Sequence, residues 1–424
     1  MGISSKLATF RDATPSERLK KLNEYLRRIF YDFFYLKGVG LFFLPLGIVF
    51  VLIAKALSPW FYVRLTTWKA DRIGQQAADM DAFLRGRLLH PDPAAKNKRE
   101  VYFFIGGQIA NWTVIRLIRR HVHVLVGRPL VQTYAFLKVL FPKTPILAKQ
   151  PSHYRMFEEY EKIPPQFTFT KSELERGRKI LRDIGIPEGE PYVCFFARDK
   201  KYLQVALKNE DNSYHDYRDC SIETKIPGVE LLAEKGVWSL RMGAVVEKPI
   251  KCKSSRVIDY ASTSWRSDFA DIFLLSHCKF VFGGNSGLPS VAWNFNVPVI
   301  VANYAPLFLR TVRKGDLFMP KKYWSSREKR FLHFREVIAM GADEWATTDK
   351  YREHQIELIE NTAEEMTAIA LEMNARLDGT WIPHPDDEML QEKFRALWTK
   401  PYRFTGYPSR VGAYFLRENR HLVE

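Results

Sequence analysis

The chain has 424 residues, of which 46% are hydrophobic and 14% aromatic. A single hydrophobic core stops growing at about 250 to 300 residues, so this length predicts two domains and an N-terminal appendage. The cysteines are widely spaced and form no Cys-x-x-Cys pair; they are Cys194, Cys220, Cys252 and Cys278. This spacing indicates neither a zinc ribbon nor a disulfide framework, and it favours a reducing cytoplasm.

Positive charge is concentrated in the first third of the chain. The formal net charge is +16, and residues 1–150 hold 24 Lys or Arg residues against nine Asp or Glu residues. Residues 101–150 contain seven basic residues and no acidic one. Such a segment predicts an anionic partner, for which acidic lipid headgroups, a phosphorylated lipid acceptor and nucleic acid are the candidates. A basic surface that serves only solubility is the alternative, although such surfaces usually intersperse both signs.

An uncharged apolar run, GVGLFFLPLGIVFVLIA, occupies residues 38–54. It is slightly shorter than the ~20 residues that a membrane-spanning helix needs. Pro45 lies inside the run, where it would kink a helix. The run therefore predicts membrane association, and it leaves open a spanning helix, a re-entrant or in-plane segment, and a buried helix of a soluble core.

The flanks of this run have the composition of a membrane interface. Upstream, Ser16 can cap a helix in which apolar residues recur at helical spacing among cations, the pattern of an interfacial amphipathic helix. Downstream, the aromatic residues 60–62 precede a basic stretch, 64–72, as in an interface anchor. The apolar run begins too late for a cleaved signal peptide. Residues 1–65 are therefore predicted to form a membrane-associating segment.

Residues 101–120 predict a strand, a glycine turn and a helix, and the run HVLVG that follows predicts the next parallel strand. The helix is expected to direct Trp112 toward the sheet. The glycines of the turn either make a tight strand-to-helix connection or let the backbone approach a ligand. The second interpretation makes Gly106, Gly107 and Gln108 candidate acceptor-binding residues.

The second half of the chain has the pattern of a doubly wound parallel sheet, because short apolar runs alternate with helical segments. The predicted strands are 192–197, 236–240, 257–260, 279–282 and 297–301. A proline-bearing stretch near residue 165 separates the halves. The predicted fold is thus α/β with two Rossmann-like domains, 66–165 and 166–380, and a tail, 381–424, that packs back on the N-terminal domain.

Polar and cationic residues follow three of these strands, namely Arg198, Arg241 and the glycine turn Gly283–Gly287. Parallel sheets of this kind bind ligands at the carboxyl ends of their strands, so we expect these residues to share one site. A guanidinium group can bind two oxygens at once, which predicts a diphosphate ligand. An ordinary ion pair with a carboxylate is the alternative for either arginine.

The glycine turn is the most informative of the three, since a helix is predicted to start near residues 286–290. Glycines let the backbone approach a phosphate, and free N–H groups at a helix start favour an anion. The candidate donor-binding residues here are Gly284, Asn285, Ser286 and Gly287. The chain has no GxGxxG or GxxxxGK[ST] motif, which argues against an NAD-type or Walker-type site. A simple capped turn is the alternative.

Further candidates lie between the strands. Residues 214–218, YHDYR, form a dense polar cluster typical of an active-site loop, in which His215 or Asp216 can act as a base toward an acceptor hydroxyl. A solvated turn is the alternative interpretation. Asp259 is a candidate for binding ribose or sugar hydroxyls, whereas Asp268 is expected to cap a helix.

No metal and no other cofactor is predicted. The Asp79-Met80-Asp81 sequence matches the DxD pattern of metal-dependent transferases, but it lies in a predicted helix, where the two carboxylates point apart. Asp386 and Asp387 stand in a proline-flanked tail and are likewise not expected to bind a metal.

Several stretches together resemble a family of bacterial glycosyltransferases of surface-polysaccharide biosynthesis. The stretches are ADRIGQQAADMDAFLRG (70–86), YVCFFARDKKYL (192–203), YHDYRDCSIE (214–223), LRMG (240–243), residues 259–303 and IENTAEEMTAIALEM (359–373). More distantly, the chain is similar to the α1,6- and protein O-fucosyltransferases. That resemblance implies the GT-B architecture and places donor-diphosphate contacts on Arg198, Asn285, Ser286 and Gly287.

The resemblance implies a metal-independent glycosyltransferase that moves a sugar from a nucleotide-sugar donor to a lipid-linked or surface-glycan acceptor. It also implies a location at the cytoplasmic face of a bacterial inner membrane, as a monotopic or single-pass protein. Two other enzyme types of this shape stay open, a sugar-nucleotide epimerase and a pyruvyl transferase. A membrane-bound scaffold or nucleic-acid-binding protein is a further alternative, although the chain shows no nucleic-acid-binding motif.

Overall fold

The computed structural model describes residues 38–152, 157–198, 213–307, 313–397 and 409–424. The predicted amphipathic helix upstream of Gly38 lies outside these residues. The α-helices in the described part are α1 (Gly38–Phe42), α2 (Leu44–Ala56), α3 (Ile73–Leu89), α4 (Trp112–Ile118), α5 (Arg128–Leu140), α6 (Phe157–Lys162), α7 (Lys171–Ile184), α8 (Ile226–Glu234), α9 (Asp268–His277), α10 (Leu288–Asn294), α11 (Phe334–Ala339), α12 (Thr348–Glu353), α13 (Ala363–Leu377), α14 (Asp387–Ala396) and α15 (Ala413–Glu418).

The strands belong to three sheets. They are β1 (Phe61–Thr67), β2 (Arg99–Gly106), β3 (His123–Val126), β4 (Tyr192–Phe195), β5 (Trp238–Arg241), β6 (Val257–Ile258), β7 (Val281–Gly283), β8 (Val299–Tyr304), β9 (Leu317–Pro320), β10 (Lys322–Ser325), β11 (Arg330–Phe331), β12 (Ile356–Ile359) and β13 (Arg410–Val411). The chain divides into two compact units, of which the first comprises residues 1–71, 92–110 and 119–150 and the second comprises the rest.

The first unit is built on a parallel three-stranded sheet in the order β1-β2-β3. Helices α2 and α5 supply one side of its core, in which Val51 and Ala54 of α2 pack with Leu137 of α5 and with Leu65 and Ile105 of the sheet. The predicted strand, glycine turn and following strand at residues 101–127 are confirmed by β2 and β3.

The second unit contains a seven-stranded parallel sheet in the order β13-β9-β8-β7-β4-β5-β6. The five strands predicted from apolar runs are confirmed as β4 to β8, with ends shifted by up to three residues. The order runs outward in both directions from the pair β7 and β4, as expected of a doubly wound sheet. A small antiparallel sheet, β11-β10-β12, follows β9 in the chain. The α/β class with parallel sheets is therefore confirmed, while the GT-B arrangement of two domains stays a prediction.

Three helices of the predicted N-terminal domain, α3, α4 and α6, belong to the second unit, so the predicted boundary near residue 165 differs from the structure. Helix α3 packs against α10, and Gly74 approaches Gly287 so closely that a Cβ on Gly74 would lie 2.7 Å from the Gly287 Cα. Helix α4 packs against α9, and its residue Ile115 is buried. Trp112 is 52% exposed, which corrects the expectation that it faces the sheet. An amphipathic pattern identifies a buried helix face, but it does not identify the sheet that covers the face.

The C-terminal tail also differs from its prediction. Its described residues join the second unit, because β13 pairs with β9 and α15 packs against α13 and α14. Gln391 fixes this arrangement by exchanging two hydrogen bonds with the backbone of Val411. The short apolar segment around Val411 thus completes an edge of the seven-stranded sheet.

Among the described helices, none is both long and apolar enough to span a membrane.

A buried arginine joins separate elements of the second unit. Arg85 of α3 is fully buried and donates to the Asp81 carboxylate at 2.9 Å, to the Asn294 carbonyl at 3.2 Å and to Asn296 Oδ1 at 3.2 Å. A further N–H donates to the Ile163 carbonyl at 2.5 Å. Burial raises the pKa of Asp81 to about 7, against the opposing effect of Arg85. Asp81 of the DxD pattern is therefore a partner in a buried ion pair.

Replacing Arg85 should strongly destabilise the protein. In the Arg85→Met variant the Asp81 carboxylate stays buried without its cation, and the loss of one partner of a buried pair costs about 3 to 5 kcal/mol. Urea denaturation measures this change. Arg178→Met is the matched control, because Arg178 makes an exposed pair with Glu175 at 3.6 Å and such pairs contribute about 0 to 1 kcal/mol. Equal effects of the two substitutions would contradict the role assigned to Arg85.

Candidate functional site

Three neighbouring strands of the seven-stranded sheet bring the predicted site residues to one edge. Strand β4 lies between β7 and β5, and all three run parallel. Phe195, near the end of β4, pairs with Arg241 on one side and with Phe282 on the other. Residues that directly follow these strands therefore leave the sheet at the same edge.

Arg198 follows β4 and retains unused hydrogen-bonding groups. Its Nη1 donates to the His215 carbonyl at 3.0 Å and to the Asp219 carboxylate. The Nε and Nη2 atoms, which carry three of the five guanidinium N–H groups, donate to no acceptor among the described residues. Because the Arg198 side chain lines a cavity, these groups can bind an anion there.

Arg218 holds the glycine turn in place. It donates from Nε and Nη2 to the carbonyl of Asn285, at 3.1 and 2.6 Å, and from Nη2 to the Asn285 side-chain oxygen at 3.0 Å. The Asn285 Nδ2 donates to the Ala305 carbonyl at 2.8 Å. The pKa of Arg218 is lowered by burial and by the nearby charge of Arg198. The Asn285 side chain thus has partners within the protein at both its oxygen and its nitrogen, and its predicted contact with the donor stays a prediction.

The glycine turn offers backbone N–H groups to a ligand. The N–H groups of Asn285, Ser286 and Gly287 donate to no acceptor within the described part of the chain. The Ser286 hydroxyl accepts from the Leu288 N–H at 3.4 Å, at the start of α10. Three successive free amides can bind an anion in the manner of a backbone nest.

Two glycines of the turn are required by packing. A Cβ on Gly287 would lie 2.7 Å from the Gly74 nitrogen, so Gly287 permits the close contact between α10 and α3. A Cβ on Gly283 would lie 2.1 Å from the Phe196 ring. Gly284 is less crowded, with the Cys220 sulfur 3.5 Å from its Cβ position. We predicted that Gly287 lets the backbone approach a phosphate. In the structure, Gly287 lets α10 approach α3.

A cavity of about 710 Å³ lies within the second unit beside these residues. Its volume is in the range of sites for small ligands and cofactors, about 300 to 1,000 Å³. It adjoins the glycine turn through Cys220, which faces Gly284. The residues that line the cavity are Arg198, Asp216, Tyr217, Asp219, Cys220, Glu247, Lys321, Thr348, Tyr351, Arg352, Ile356, Leu358 and Glu360.

Two buried lysines add positive charge to this region. The Lys321 ammonium donates to the carbonyls of Asp219 and Tyr217 at 2.7 and 3.1 Å, and its pKa is lowered chiefly by burial. Lys225 is fully buried, and its Nζ lies 5.4 Å from the centre of the Phe282 ring. No acceptor among the described residues receives a hydrogen bond from the Lys225 Nζ. Both cations raise the electrostatic potential felt by a ligand in the cavity.

The predicted base candidates lie in a 3-10 helix, Ser213–Arg218, held to α12 by Thr348. Asp216 lines the cavity. The pKa of His215 is lowered to about 4 by burial and by Arg218 and Arg198. A neutral imidazole with so low a pKa is a weak base at pH 7, which leaves Asp216 as the better placed of the two.

Arg241 and Asp259 form an ion pair with each other. The Arg241 Nη1 lies 3.3 Å from each Asp259 oxygen and donates to the Lys248 carbonyl at 2.7 Å. Asp259 also accepts from the Ile250 N–H at 3.1 Å. Neither residue lines the cavity. The arginine thus neutralises a strand-end carboxylate and orders the loop that follows β5, and donor binding by this pair stays a prediction.

Two other predicted residues have structural contacts. Asp268 caps a helix, as expected, but the helix is α4: its carboxylate accepts from the Trp112 N–H at 2.9 Å, while Ser267 caps α9. In the first unit, Gly106 packs tightly against Trp68 and the Gln108 side chain accepts from Arg128 at 3.2 Å. Gly106, Gly107 and Gln108 thus form a compact turn, and acceptor binding there stays a prediction.

Sequence reasoning did not select several residues of the cavity, nor Arg218, which holds the glycine turn; of these residues, Lys321 and Arg218 carry a recognisable signal. Lys321 directly follows β9, so it is a strand-end cation of the same type as Arg198, but β9 was not among the strands predicted from apolar runs. Arg218 lies in the polar cluster next to His215 and Asp216. In the described ranges, no cluster of His, Cys, Asp and Glu is arranged to hold a metal ion.

Comparison with known proteins gives a weak structural likeness. No known protein family and no curated protein matches the chain. A glycosyl transferase family 9 structure from Veillonella parvula has 9% identity and a TM-score of 0.39, over 68% of this chain and 95% of the other. The ADP-heptose LPS heptosyltransferase II of E. coli has 10% identity and a TM-score of 0.32, over 57% and 86%. The E. coli heptosyltransferase WaaC has 12% identity and a TM-score of 0.29, over 61% and 93%. These scores assign the chain to no family.

The acid sensitivity of the fold should depend on His215. Because its pKa in the folded protein is about 4, below the value of about 6.5 in the unfolded chain, the unfolded state binds more protons between these values. The stability contribution is present above pH 6.5 and is lost as the pH falls toward 4. An NMR titration of the imidazole should give a midpoint well below 6.5, and His215→Gln should reduce the loss of stability over this interval. A midpoint at or above 6.5 would contradict the environment described for His215.

Proposed function

We propose that the second unit binds the diphosphate of a nucleotide sugar and that the protein is a metal-independent glycosyltransferase. The observation that carries this proposal is the cationic edge of the seven-stranded sheet. There Arg198 lines a cavity and has N–H groups that donate to no acceptor among the described residues, and three amides of the adjoining turn likewise have no acceptor among these residues. Ligands of doubly wound sheets bind at this edge.

The composition of the cavity suits a nucleotide sugar. Arg198 and Lys321 can contact the phosphates, while carboxylates that line the cavity, such as Asp216 and Glu247, can accept hydrogen bonds from ribose or sugar hydroxyls. Tyr217 and Tyr351, with ring centres 5.5 Å apart, add an aromatic surface. A sugar site of this type needs a few oriented polar groups on a partly apolar lining.

The proposed reaction forms a glycosidic bond at the expense of the bond between the sugar and the diphosphate. An acceptor hydroxyl attacks the anomeric carbon, its proton moves to the Asp216 carboxylate, and the nucleoside diphosphate leaves with the bonding electron pair. Negative charge develops on the leaving group, where Arg198, Lys321 and the turn amides stabilise it. Positive charge from side chains fulfils here the role that a divalent cation has in metal-dependent transferases.

The acceptor is proposed from the sequence resemblance. The stretches shared with surface-polysaccharide glycosyltransferases support a lipid-linked or surface-glycan acceptor, and they support a location at the cytoplasmic face of a bacterial inner membrane. The first unit, with Gly106, Gly107 and Gln108 at the end of β2, is proposed to bind this acceptor.

Donor binding should stabilise the protein against heat. A ligand at 100 times its Kd adds about 2.7 kcal/mol to the free energy of unfolding. A thermal-shift screen with nucleoside diphosphates of all common bases should therefore identify at least one that raises Tm by several degrees. Arg198→Ala should abolish this shift, and Arg178→Ala, an exposed arginine of α7, should retain it. No shift with any nucleoside diphosphate or nucleotide sugar would contradict the proposal.

Removing the proposed base should separate catalysis from binding. In Asp216→Asn the side chain keeps its size but cannot take up the acceptor proton, so kcat should fall by about 10² to 10⁴. The Tm shift with nucleoside diphosphate should persist. Turnover can be followed as slow hydrolysis of the donor, with water as acceptor, until the acceptor is identified. An unchanged kcat would remove Asp216 from the catalytic role.

A further inference from the structure

One face of the helices α1 and α2 in the first unit is apolar and exposed. Phe42 is 86% exposed, Leu46 is 68% and Ile53 is 53%. The exposed apolar residues of this face, which we call the α2 outer face, are Phe42, Leu46, Val49, Leu52, Ile53, Leu57 and Trp60. Most follow one another at intervals of three or four residues, so they form a continuous stripe along the helix.

The opposite face of the same helices is fixed to the core. Val51 is 2% exposed, and a Cβ on Gly47 would lie 2.9 Å from the Leu137 side chain of α5. The Gly40 N–H donates to Gln132 at 3.1 Å, and the Gly40 carbonyl accepts from Thr133 at 2.8 Å. Because these contacts set the rotation of both helices, the α2 outer face cannot turn inward.

A stripe of this kind requires an explanation, because monomeric soluble proteins rarely expose contiguous apolar patches of more than a few hundred Å². Val139, near the end of the neighbouring helix α5, is also 77% exposed. Isolated exposed apolar residues elsewhere, such as Ile382, need no such explanation.

The charge of the first unit favours an anionic partner for the α2 outer face, because basic residues far outnumber acidic ones. The acidic residues in the ranges 38–71, 92–110 and 119–150 are Asp71, Asp92 and Glu100. The basic residues in the same ranges are Lys55, Arg64, Lys69, Lys96, Lys98, Arg99, Arg119, Arg120, Arg128, Lys138, Lys143 and Lys149.

Two of these cations lie next to the stripe. Lys55 is exposed in the last turn of α2, and the Arg99 N–H donates to the Trp60 carbonyl at 3.0 Å. Lys143 is exposed three residues after the end of α5. An apolar stripe bordered by lysine and arginine matches the interface of a bilayer that contains anionic lipids.

We propose that the α2 outer face inserts into the interface of an anionic bilayer, with α1 and α2 lying in the plane of the membrane. Helix α2 has 13 residues, which at 1.5 Å per residue gives about 20 Å against a hydrocarbon core of about 30 Å. Pro45 stands in the first turn of α2, where a helix tolerates proline, and α1 ends just before it. The pair is thus built to lie on the membrane, and this proposal does not depend on the proposed reaction.

Flotation of the full-length protein with vesicles tests the proposal. The protein should float with vesicles of phosphatidylglycerol and phosphatidylethanolamine, and less with phosphatidylcholine alone, since the cations contribute. The double variant Leu46→Asp/Ile53→Asp should reduce binding at least about tenfold. Ile382→Asp, which changes a still more exposed apolar residue in the second unit, should bind like the wild type. Equal flotation of wild type and double variant would overturn the proposal.

Other occupants give different results in the same variants. If residues 1–37 cover the stripe, the double variant should lower Tm without vesicles and leave flotation unchanged. If a second copy covers it, light scattering should show a dimer that the double variant dissociates. Either result would overturn the membrane assignment. Retention of the wild type in membranes after alkaline carbonate extraction would overturn the in-plane orientation. The double variant should keep its Tm shift with nucleoside diphosphate, which separates this test from that of the reaction.

Discussion

The candidate site depends on the hydrogen bonds that Arg218 donates to Asn285. Three hydrogen bonds tie the guanidinium group to the carbonyl and the side-chain oxygen of Asn285, 67 residues away in the chain. They fix the backbone after β7 with its carbonyl turned toward Arg218. The amides of Asn285, Ser286 and Gly287 are left without acceptors among the described residues. Preorganised donors of this kind bind an anion without the cost of ordering a loop.

The same arrangement gathers cations at one sheet edge. Arg198 lowers the pKa of Arg218, and both lower the pKa of His215, which shows that these charges repel one another across a partly buried region. Asp219 offsets part of this repulsion through its ion pair with Arg198. A bound diphosphate would offset more of it, because it brings negative charge to groups that are already desolvated. The apolar stripe of the first unit is a separate feature, with its own partner.

The sequence allowed the parallel sheet and part of the site to be predicted. Apolar runs identified β4 to β8, and the rule that ligands bind at strand ends selected Arg198 and the glycine turn. Pairings between distant residues could not be predicted, because the order of apolar and polar residues along the chain does not say which residues meet in the fold. Arg241 and Arg198 look alike in the sequence and each pairs with a carboxylate, Asp259 or Asp219, yet of the two it is Arg198 that lines the cavity. Helix α3 was likewise placed in the wrong domain, since its contact with α10 depends on Gly74 and Gly287.

The cationic edge of the second unit is proposed to bind a diphosphate. The most direct test is a crystal structure of the full-length protein with the nucleoside diphosphate that gives the largest thermal shift. Phosphate oxygens are expected within hydrogen-bonding distance of the Arg198 guanidinium group and of at least two amides among Asn285, Ser286 and Gly287. Phosphates bound elsewhere, with the Arg198 Nε and Nη2 groups and these amides still lacking ligand contacts, would contradict this proposal.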